Sequence, residues 1–441
     1  MGRDPTINID RELEKRTVSR LLWRLLPFLF LLYIVAFLDR INVGFAALGM
    51  QKELGFNDSI FGTAFGFFFL GYFFFQVPSN LVLARVGPRR WIAVIMVAWG
   101  AVSCSMALVS TPREFYVLRL LLGVAEAGFF PGMILYLRNW FPSGARARAV
   151  AWFMTANPLA GVVGGPISGA LLGLHRLGIA GWQWLFVLEG LPAVVFALVV
   201  LVTLKDDPSQ ARWLRPAERV WLTASLDQEQ QQQAKITGSD VWAAFLNWRI
   251  WLLSVVLFGL TTSGYGIVLW LPNFIHSLST ASNLGIGIIS VIPYAATAIA
   301  MVLVGTHSDR TGERRWHLAG SALAAAAALL LAAYTHSILP ALAAVSLGLM
   351  ATFSMQGPFW ATLTSLLSGT AAATGIALVN SIGNLGGFFG PYIIGVKRSS
   401  GGGFRGGMLI IAGFLALSAV LATVVQPPRE RPVPAHANPL Q

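Results

Sequence analysis

Charge is what this sequence has least of. Only 11% of its 441 residues are Asp, Glu, Lys or Arg, against 56% that are hydrophobic, and the mean hydropathy is +0.67. A soluble chain carries about 25% charged residues, so a soluble globular protein is excluded. Cysteine is almost missing: the single Cys104 lies in an apolar run, which excludes a disulfide framework and any thiol-built metal or redox centre. Histidine is sparse, with six residues mostly at the ends of apolar runs, and no nucleophile stands beside a base, so an enzyme is not expected. No phosphate-cradling G-x-x-x-x-G-K-[ST] occurs. The glycine-rich pieces GVVGGPISGALLG (161–173) and GNLGGFFGP (383–391) lie inside apolar runs, where small residues serve packing and gating. Nucleotide, metal and other cofactors are therefore not expected.

What is present is apolar sequence in long runs. Stretches able to cross about 30 Å of hydrocarbon fall at 21–49, 58–83, 91–110, 114–138, 147–173, 182–204, 249–275, 285–306, 316–335, 338–367, 371–396 and 404–425. These twelve transmembrane helices define an all-α polytopic membrane protein. Residues 1–20 are polar, precede the first apolar run in the wrong order for a cleavable signal peptide, and read as a cytoplasmic N-terminal tail. In that orientation 23 of the 31 Lys and Arg residues fall on the cytoplasmic side. Six fall outside (Lys52, Arg113, Arg176, Lys397, Arg398, Arg405), and Arg40 and Arg119 lie within the membrane. The positive-inside rule accepts this arrangement and rejects its inverse. It also accounts for the net charge of +12 without a nucleic-acid partner. The expected setting is the plasma membrane, the inner membrane in a bacterium, with both termini cytoplasmic and a monomer embedded in the bilayer.

One break interrupts the hydrophobicity. Residues 205–248, with DDP and EQQQQ, read as a cytoplasmic linker between a six-helix bundle at 21–204 and another at 249–425, and 426–441 reads as a cytoplasmic C-terminal tail. A constant offset of 225 lays NLVLARVGPRRW (80–91) on GTHSDRTGERRW (305–316), and five of twelve positions agree: Arg85, Gly87, Arg89, Arg90 and Trp91 with Arg310, Gly312, Arg314, Arg315 and Trp316. Gly165-Pro166 falls on Gly390-Pro391 at the same offset. An even number of crossings per half makes the two six-helix repeats parallel.

Three charged residues lie close to the midplane: Asp39 and Arg40 in FLDRINVG (37–44), and Glu126 in the fourth run. Each costs roughly 2.5 to 3.5 kcal/mol to insert. Neighbours on a helix point about 100° apart, so Asp39 and Arg40 cannot pair locally; Asn42 shares the face of Asp39, and Tyr33 that of Arg40. A carboxyl group in hydrocarbon is cheap when protonated and costly when ionised, which suits Asp39 and Glu126 to carry protons. Arginine stays charged and offers a fork of donors, which suits Arg40 to a carboxylate substrate. The alternative is a structural Arg40–Glu126 salt bridge. Arg119, on the face of Glu126 and about 10 Å nearer the outside, is open to coupling or to structure. Glu189, near the outer end of the sixth run, reads as an interfacial structural residue. Tyr72, Gln76, Asn157, Tyr265, Gln356, Trp360, Asn380 and Asn384 are candidates to line a central cavity or to hydrogen-bond between helices. The Phe-rich FFFLGYFFF (67–75) reads as lipid-facing or packing.

The parallel repeat with a basic, glycine-containing turn resembles the major facilitator superfamily. GTHSDRTGERR (305–315) resembles its loop signature, in which Asp309 with Arg310, Gly312, Arg314 and Arg315 locks two helices; the first copy departs from it, because Ala84 stands where the acid belongs. FLDRINVGFAALGMQKELGF, LRLLLGVAEAGFFPGMILYLRNWFP and GIALVNSIGNLGGFFGPYIIG are similar to the anion:cation symporter family, above all to its tartrate, phthalate and hydroxyphenylacetate permeases. The resemblance implies proton roles for Asp39 and Glu126, a substrate-carboxylate role for Arg40, and cavity positions at Tyr72, Asn157, Trp360 and Asn380. The function expected is proton-coupled uptake of a small organic anion by alternating access, with protons as the coupling ion. Anion exchange, an aromatic-acid permease, drug efflux and a non-transporting sensor are the alternatives.

Overall fold

The computed structural model describes residues 5–236, 245–366 and 369–425, nearly all of them helical. Part of the expected linker (237–244) and the whole expected C-terminal tail (426–441) lie outside the described residues. The first crossing and the described part of the expected N-terminal tail form one helix, α1 (Pro5–Leu54). Next come α2 (Asp58–Val86), α3 (Pro88–Ser105), α4 (Pro112–Glu126), α5 (Phe129–Trp140), α6 (Ser143–Met154), α7 (Ala156–Leu171) and α8 (Gly181–Thr203). The linker contributes α9 (Pro216–Ile236). The second half holds α10 (Trp248–Leu278), α11 (Asn283–Thr311), α12 (Arg315–Tyr334), α13 (Ile338–Ser354), α14 (Gln356–Leu366), α15 (Gly369–Lys397) and α16 (Gly403–Val424).

Ten helical stretches of the described residues are long and apolar enough to cross a membrane. The expected twelve crossings follow from two details. The fifth is split into α6 and α7, each shorter than a span, and the last two are joined through Arg398–Gly402.

The runs at 114–138, 147–173 and 338–367 are each interrupted. The breaks fall at Ala127-Gly128, Thr155 and Met355. In each case a proline lies just beyond: Pro131, Pro158 and Pro358 offer no N–H to the carbonyls of Ala127, Met154 and Ser354 four residues back. Prolines such as Pro78, Pro166 and Pro272 sit inside unbroken helices, so proline sets where a break falls and not whether it occurs.

Small residues bring the helices together. A Cβ on Gly123 of α4 would strike the Phe68 carbonyl of α2, and one on Gly390 of α15 the Thr262 carbonyl of α10. The two halves meet through the same device. Gly165 and Gly169 of α7 lie against Gly287 and Asn283 of α11, and Gly62 and Gly66 of α2 lie against Pro391 and Phe388 of α15. These contacts cluster at the end of the bundle away from the linker, here called the far face. Polar contacts between halves stand there too: Arg398 Nη1 reaches Asp58 at 3.1 Å, Ser59 N–H donates to Ser399 Oγ at 2.7 Å, and Asn273 Nδ2 donates to the Gly44 carbonyl at 3.2 Å. Arg398 also lies over Trp270 and Phe404, at 4.9 Å and 4.2 Å from their centroids. The bundle is thus closed at the far face, and the halves separate toward the linker face.

The two repeated turns lie on the linker face. Gly87 (φ 88°) and Gly312 (φ 65°) both take positive φ, which explains why both copies carry glycine there. The acid missing at Ala84 is replaced from elsewhere in the chain: Asp206 Oδ1 accepts from the Arg89 N–H at 2.9 Å in the first turn of α3, where a helix favours negative charge. The Arg89 guanidinium caps the end of α8 at the Leu201 carbonyl. In the second copy the lock is not built on Asp309, which is exposed and enters no described ion pair. Arg314 Nη1 instead donates to the Ala361 carbonyl of α14 at 2.7 Å, and Glu313 caps α12 through the Trp316 N–H at 2.9 Å. Arg85, Arg90 and Arg310 are exposed, while Arg315 lies over Trp316 at 5.1 Å. The linker helix docks on the first half by two ion pairs, Arg20–Glu218 and Arg146–Glu229, both at 2.8 Å.

Gly123→Val is expected to destabilise the protein by about 1 to 3 kcal/mol through overpacking, read as a lowered thermal midpoint, whereas Gly312→Ala, in open space, costs only the left-handed strain of about 1 to 2 kcal/mol. Burial pushes the Glu229 carboxyl up, but the Ser143 N–H and the Arg146 guanidinium outweigh it and hold Glu229 below the usual range. Its anchoring of α9 is therefore fully present above the ordinary Glu range and fades as pH falls through the depressed value. Limited proteolysis between α8 and α10 is expected to accelerate at that acid pH in the native protein, and already at neutral pH in Glu229→Gln.

Candidate functional site

Arg40 leaves α1 at the level where the halves meet. Its Nη2 donates to Glu126 Oε2 of α4 at 2.6 Å and its Nη1 to the Tyr265 hydroxyl of α10 at 3.3 Å. Its guanidinium lies over Phe68 and Tyr72 of α2, at 5.1 Å and 5.3 Å from the ring centroids. The Arg40 side chain keeps 14% of its surface exposed and that of Glu126 keeps 1%. Arg40 is thus the one member of this pair that still meets solvent. Glu126 is the last residue of α4, so the proline-directed break stands immediately behind the carboxyl group that holds Arg40.

Asp39 points away from Arg40, as the 100° step requires. It is 1% exposed, and its Oδ1 accepts from Asn42 Nδ2 at 3.1 Å and from the Ser103 hydroxyl of α3, while Oδ2 meets no donor. Arg119 is fully buried; none of its nitrogens has a hydrogen-bond partner, and its guanidinium lies 5.0 Å from the Phe68 centroid. Phe68 therefore serves two guanidinium groups, Arg40 and Arg119, as a shared aromatic face. Glu126 and Arg119 both face Asp39 from α4.

The structure brings together Asp39, Arg40, Glu126, Arg119, Tyr72 and Tyr265, contributed by four helices. Asn157 stands beside Tyr33, which stacks on Phe153 at 4.6 Å and borders the same space. Gln76 is buried one turn below Tyr72. Trp360 packs edge-to-face on Phe359 against the apolar core of the second half, and no described contact joins it to Arg40. Gln356, Asn380 and Asn384 are half-buried, and no described hydrogen bond joins them to Arg40.

Two residues have surroundings that the sequence did not specify. Phe68, read there as lipid-facing or packing, is fully buried between the arginines; its i, i+4, i+8 spacing with Tyr72 and Gln76 is the signal that was available. Glu189 was expected at the interface, yet it is 4% exposed, with Ser168 Oγ donating to its Oε1 at 2.7 Å. α8 carries it inward, onto the side of α1 that holds Asn42.

A bundle of twelve crossings in two halves, closed at one end around a central charged cluster, is the architecture of a secondary membrane transporter. The family model of the Major Facilitator Superfamily matches residues 29–391 and 277–440. A protein of Agrobacterium vitis called "Putative tartrate transporter" is 47% identical over 418 residues, covering 95% of this chain and 93% of that one. A "Quinolone resistance transporter" of Acinetobacter baumannii is 37% identical over 95% of this chain and 97% of its own length. Among solved structures, a bacterial homologue of the human lysosomal transporter Spinster, in an inward-facing and occupied conformation, superposes with a TM-score of 0.73 at 18% identity, covering 91% of this chain and 96% of its own. The chain belongs to the Major Facilitator Superfamily and is a transporter of that superfamily.

Removing one member of a buried ion pair costs about 3 to 5 kcal/mol because the other is left uncompensated. Glu126→Ala is therefore expected to lower stability by that amount and Arg40→Ala/Glu126→Ala by less, a coupling of about 1 to 3 kcal/mol in a double-mutant cycle on thermal midpoints. Additive losses would show that the two groups do not interact in the folded state.

Proposed function

We propose that this chain is a proton-coupled importer of a small organic anion, tartrate or a related hydroxylated carboxylate, set in the plasma membrane with the linker face in the cytoplasm. One observation carries the reading: Arg40, partly solvent-accessible, is divided between an acid of its own half at 2.6 Å and a hydroxyl of the other half at 3.3 Å. A carboxylate substrate competes with Glu126 for the same forked donor. When Glu126 takes a proton its charge disappears, and the guanidinium is free to bind the anion while Phe68, Tyr72 and Tyr265 keep it in place. Proton and anion then travel together, because only the protonated carrier offers Arg40. Asp39, with its own unpartnered oxygen, is the second proton acceptor.

Held in this orientation, the structure is the inward-open state. Closing the linker face brings the repeated turns of the two halves together, and opening the far face separates Arg398 from Asp58. Rocking of the halves about Arg40 and Tyr265 alternates access to the site. The Agrobacterium relative's name supports tartrate as cargo. The Acinetobacter relative's name directs attention to efflux, but a central Arg40 repels cationic drugs, which favours the anion.

Uptake by purified protein in liposomes tests this with radiolabelled tartrate, phthalate, hydroxyphenylacetate and galactonate under an inside-alkaline gradient. Tartrate accumulation is expected to vanish in Asp39→Asn and Glu126→Gln while counterflow survives. Arg40→Ala is expected to lose both, by about tenfold to a hundredfold. Uptake indifferent to the pH gradient and intact in Asp39→Asn would replace proton symport with anion exchange.

A further inference from the structure

Glu189 is a buried acid that the transport cycle above does not use. Its Oε1 accepts from Ser168, and its Oε2 meets no donor. No described ion pair includes it: Arg40 is paired with Glu126, and Arg119 faces Asp39 and Glu126 without a hydrogen bond. Its other neighbour is Asn42, within hydrogen-bond reach of the carboxyl group. Asn42 donates through Nδ2 to Asp39 at 3.1 Å, but its Oδ1 also meets no donor. Two buried acceptors without a donor, on side chains within hydrogen-bond reach of each other, is an arrangement that proteins avoid. A single proton removes the problem: an O–H on Glu189 donated to Asn42 Oδ1 satisfies both.

We propose that Glu189 is held protonated and is a positioning residue for Asp39. Its O–H fixes the Asn42 amide with the carbonyl toward Glu189 and the NH2 toward Asp39. An NH2 group favours the ionised form of Asp39, whereas a flipped amide would present its carbonyl and favour the protonated form. Glu189 thus sets the proton affinity of Asp39 through Asn42, without touching substrate. Other groups facing this chain are Ser103 and Cys104 from α3, Arg119 and Glu126 from α4, and the neutral Ser168 from α7. The inference rests on Asp39 being the proton acceptor proposed above.

Infrared difference spectroscopy on the reconstituted full chain, alongside the pH profile of tartrate uptake, tests it in the native protein, Glu189→Gln and Glu189→Leu. Native protein is expected to show at neutral pH a protonated-carboxyl carbonyl band that both variants lack. The Asp39 titration, assigned by its loss in Asp39→Asn, is expected to keep its position in Glu189→Gln, whose amide donates to Asn42 Oδ1 as the acid does. In Glu189→Leu it is expected to be displaced by about one pH unit, the scale of one hydrogen bond to a charged group, with the uptake profile following. Absence of the band, an unmoved titration in Glu189→Leu, or an equal displacement in Glu189→Gln would overturn the proposal. Uptake that ignores pH while the infrared results hold would reject proton coupling and leave the positioning role standing.

Discussion

The Arg40–Glu126 pair is the constraint around which the rest of the bundle is arranged. An arginine cannot give up its charge, so placing one at the midplane requires an acid at hydrogen-bond distance and aromatic faces to cover the remaining surface. Both are present, and each comes from a different helix: Glu126 from α4, Phe68 and Tyr72 from α2. The close approach of α2 and α4 at Gly123 is what lets those groups reach the same guanidinium. A buried ion pair contributes little net stability against an apolar alternative. Under the function proposed, the pair is a site where one anion replaces another.

On that proposal the exchange needs movable helices, and the backbone has breaks at defined places. The breaks in the fourth, fifth and tenth crossings lie where a proline removes a backbone donor, and the fourth falls directly behind Glu126. The surfaces between halves are glycine against backbone, as at Gly165 and Gly287, where closeness comes from shape and few side chains must be repacked on separation. The polar bonds that hold the far face shut are few: the Arg398–Asp58 pair and two hydrogen bonds to backbone groups. Closure is thus tight in packing and light in electrostatics among the described residues.

Much of this was legible in the chain. Long apolar runs, the repeat at an offset of 225 and the glycines at 87 and 312 define crossings, halves and turns, because hydrocarbon thickness and backbone sterics act on one helix or one turn at a time. The cost of charge in hydrocarbon likewise singles out Asp39, Arg40 and Glu126, whatever surrounds them. Other features depended on partners far away in sequence. The acid missing at Ala84 is supplied by Asp206, Phe68 lies against two arginines, and Trp360 packs against the core of the second half.

The sequence by itself determined how many times the chain crosses the membrane, which residues are too costly to be there without purpose, and that the two halves are copies. Only the tertiary structure decided that Arg40 is held by Glu126, 86 residues away, and touched by Tyr265, 225 residues away, and that Glu189 lies against Asn42 and not in water. The physical reason is that insertion cost belongs to a single side chain, whereas the choice of partner is made by helices that meet only after the bundle has assembled.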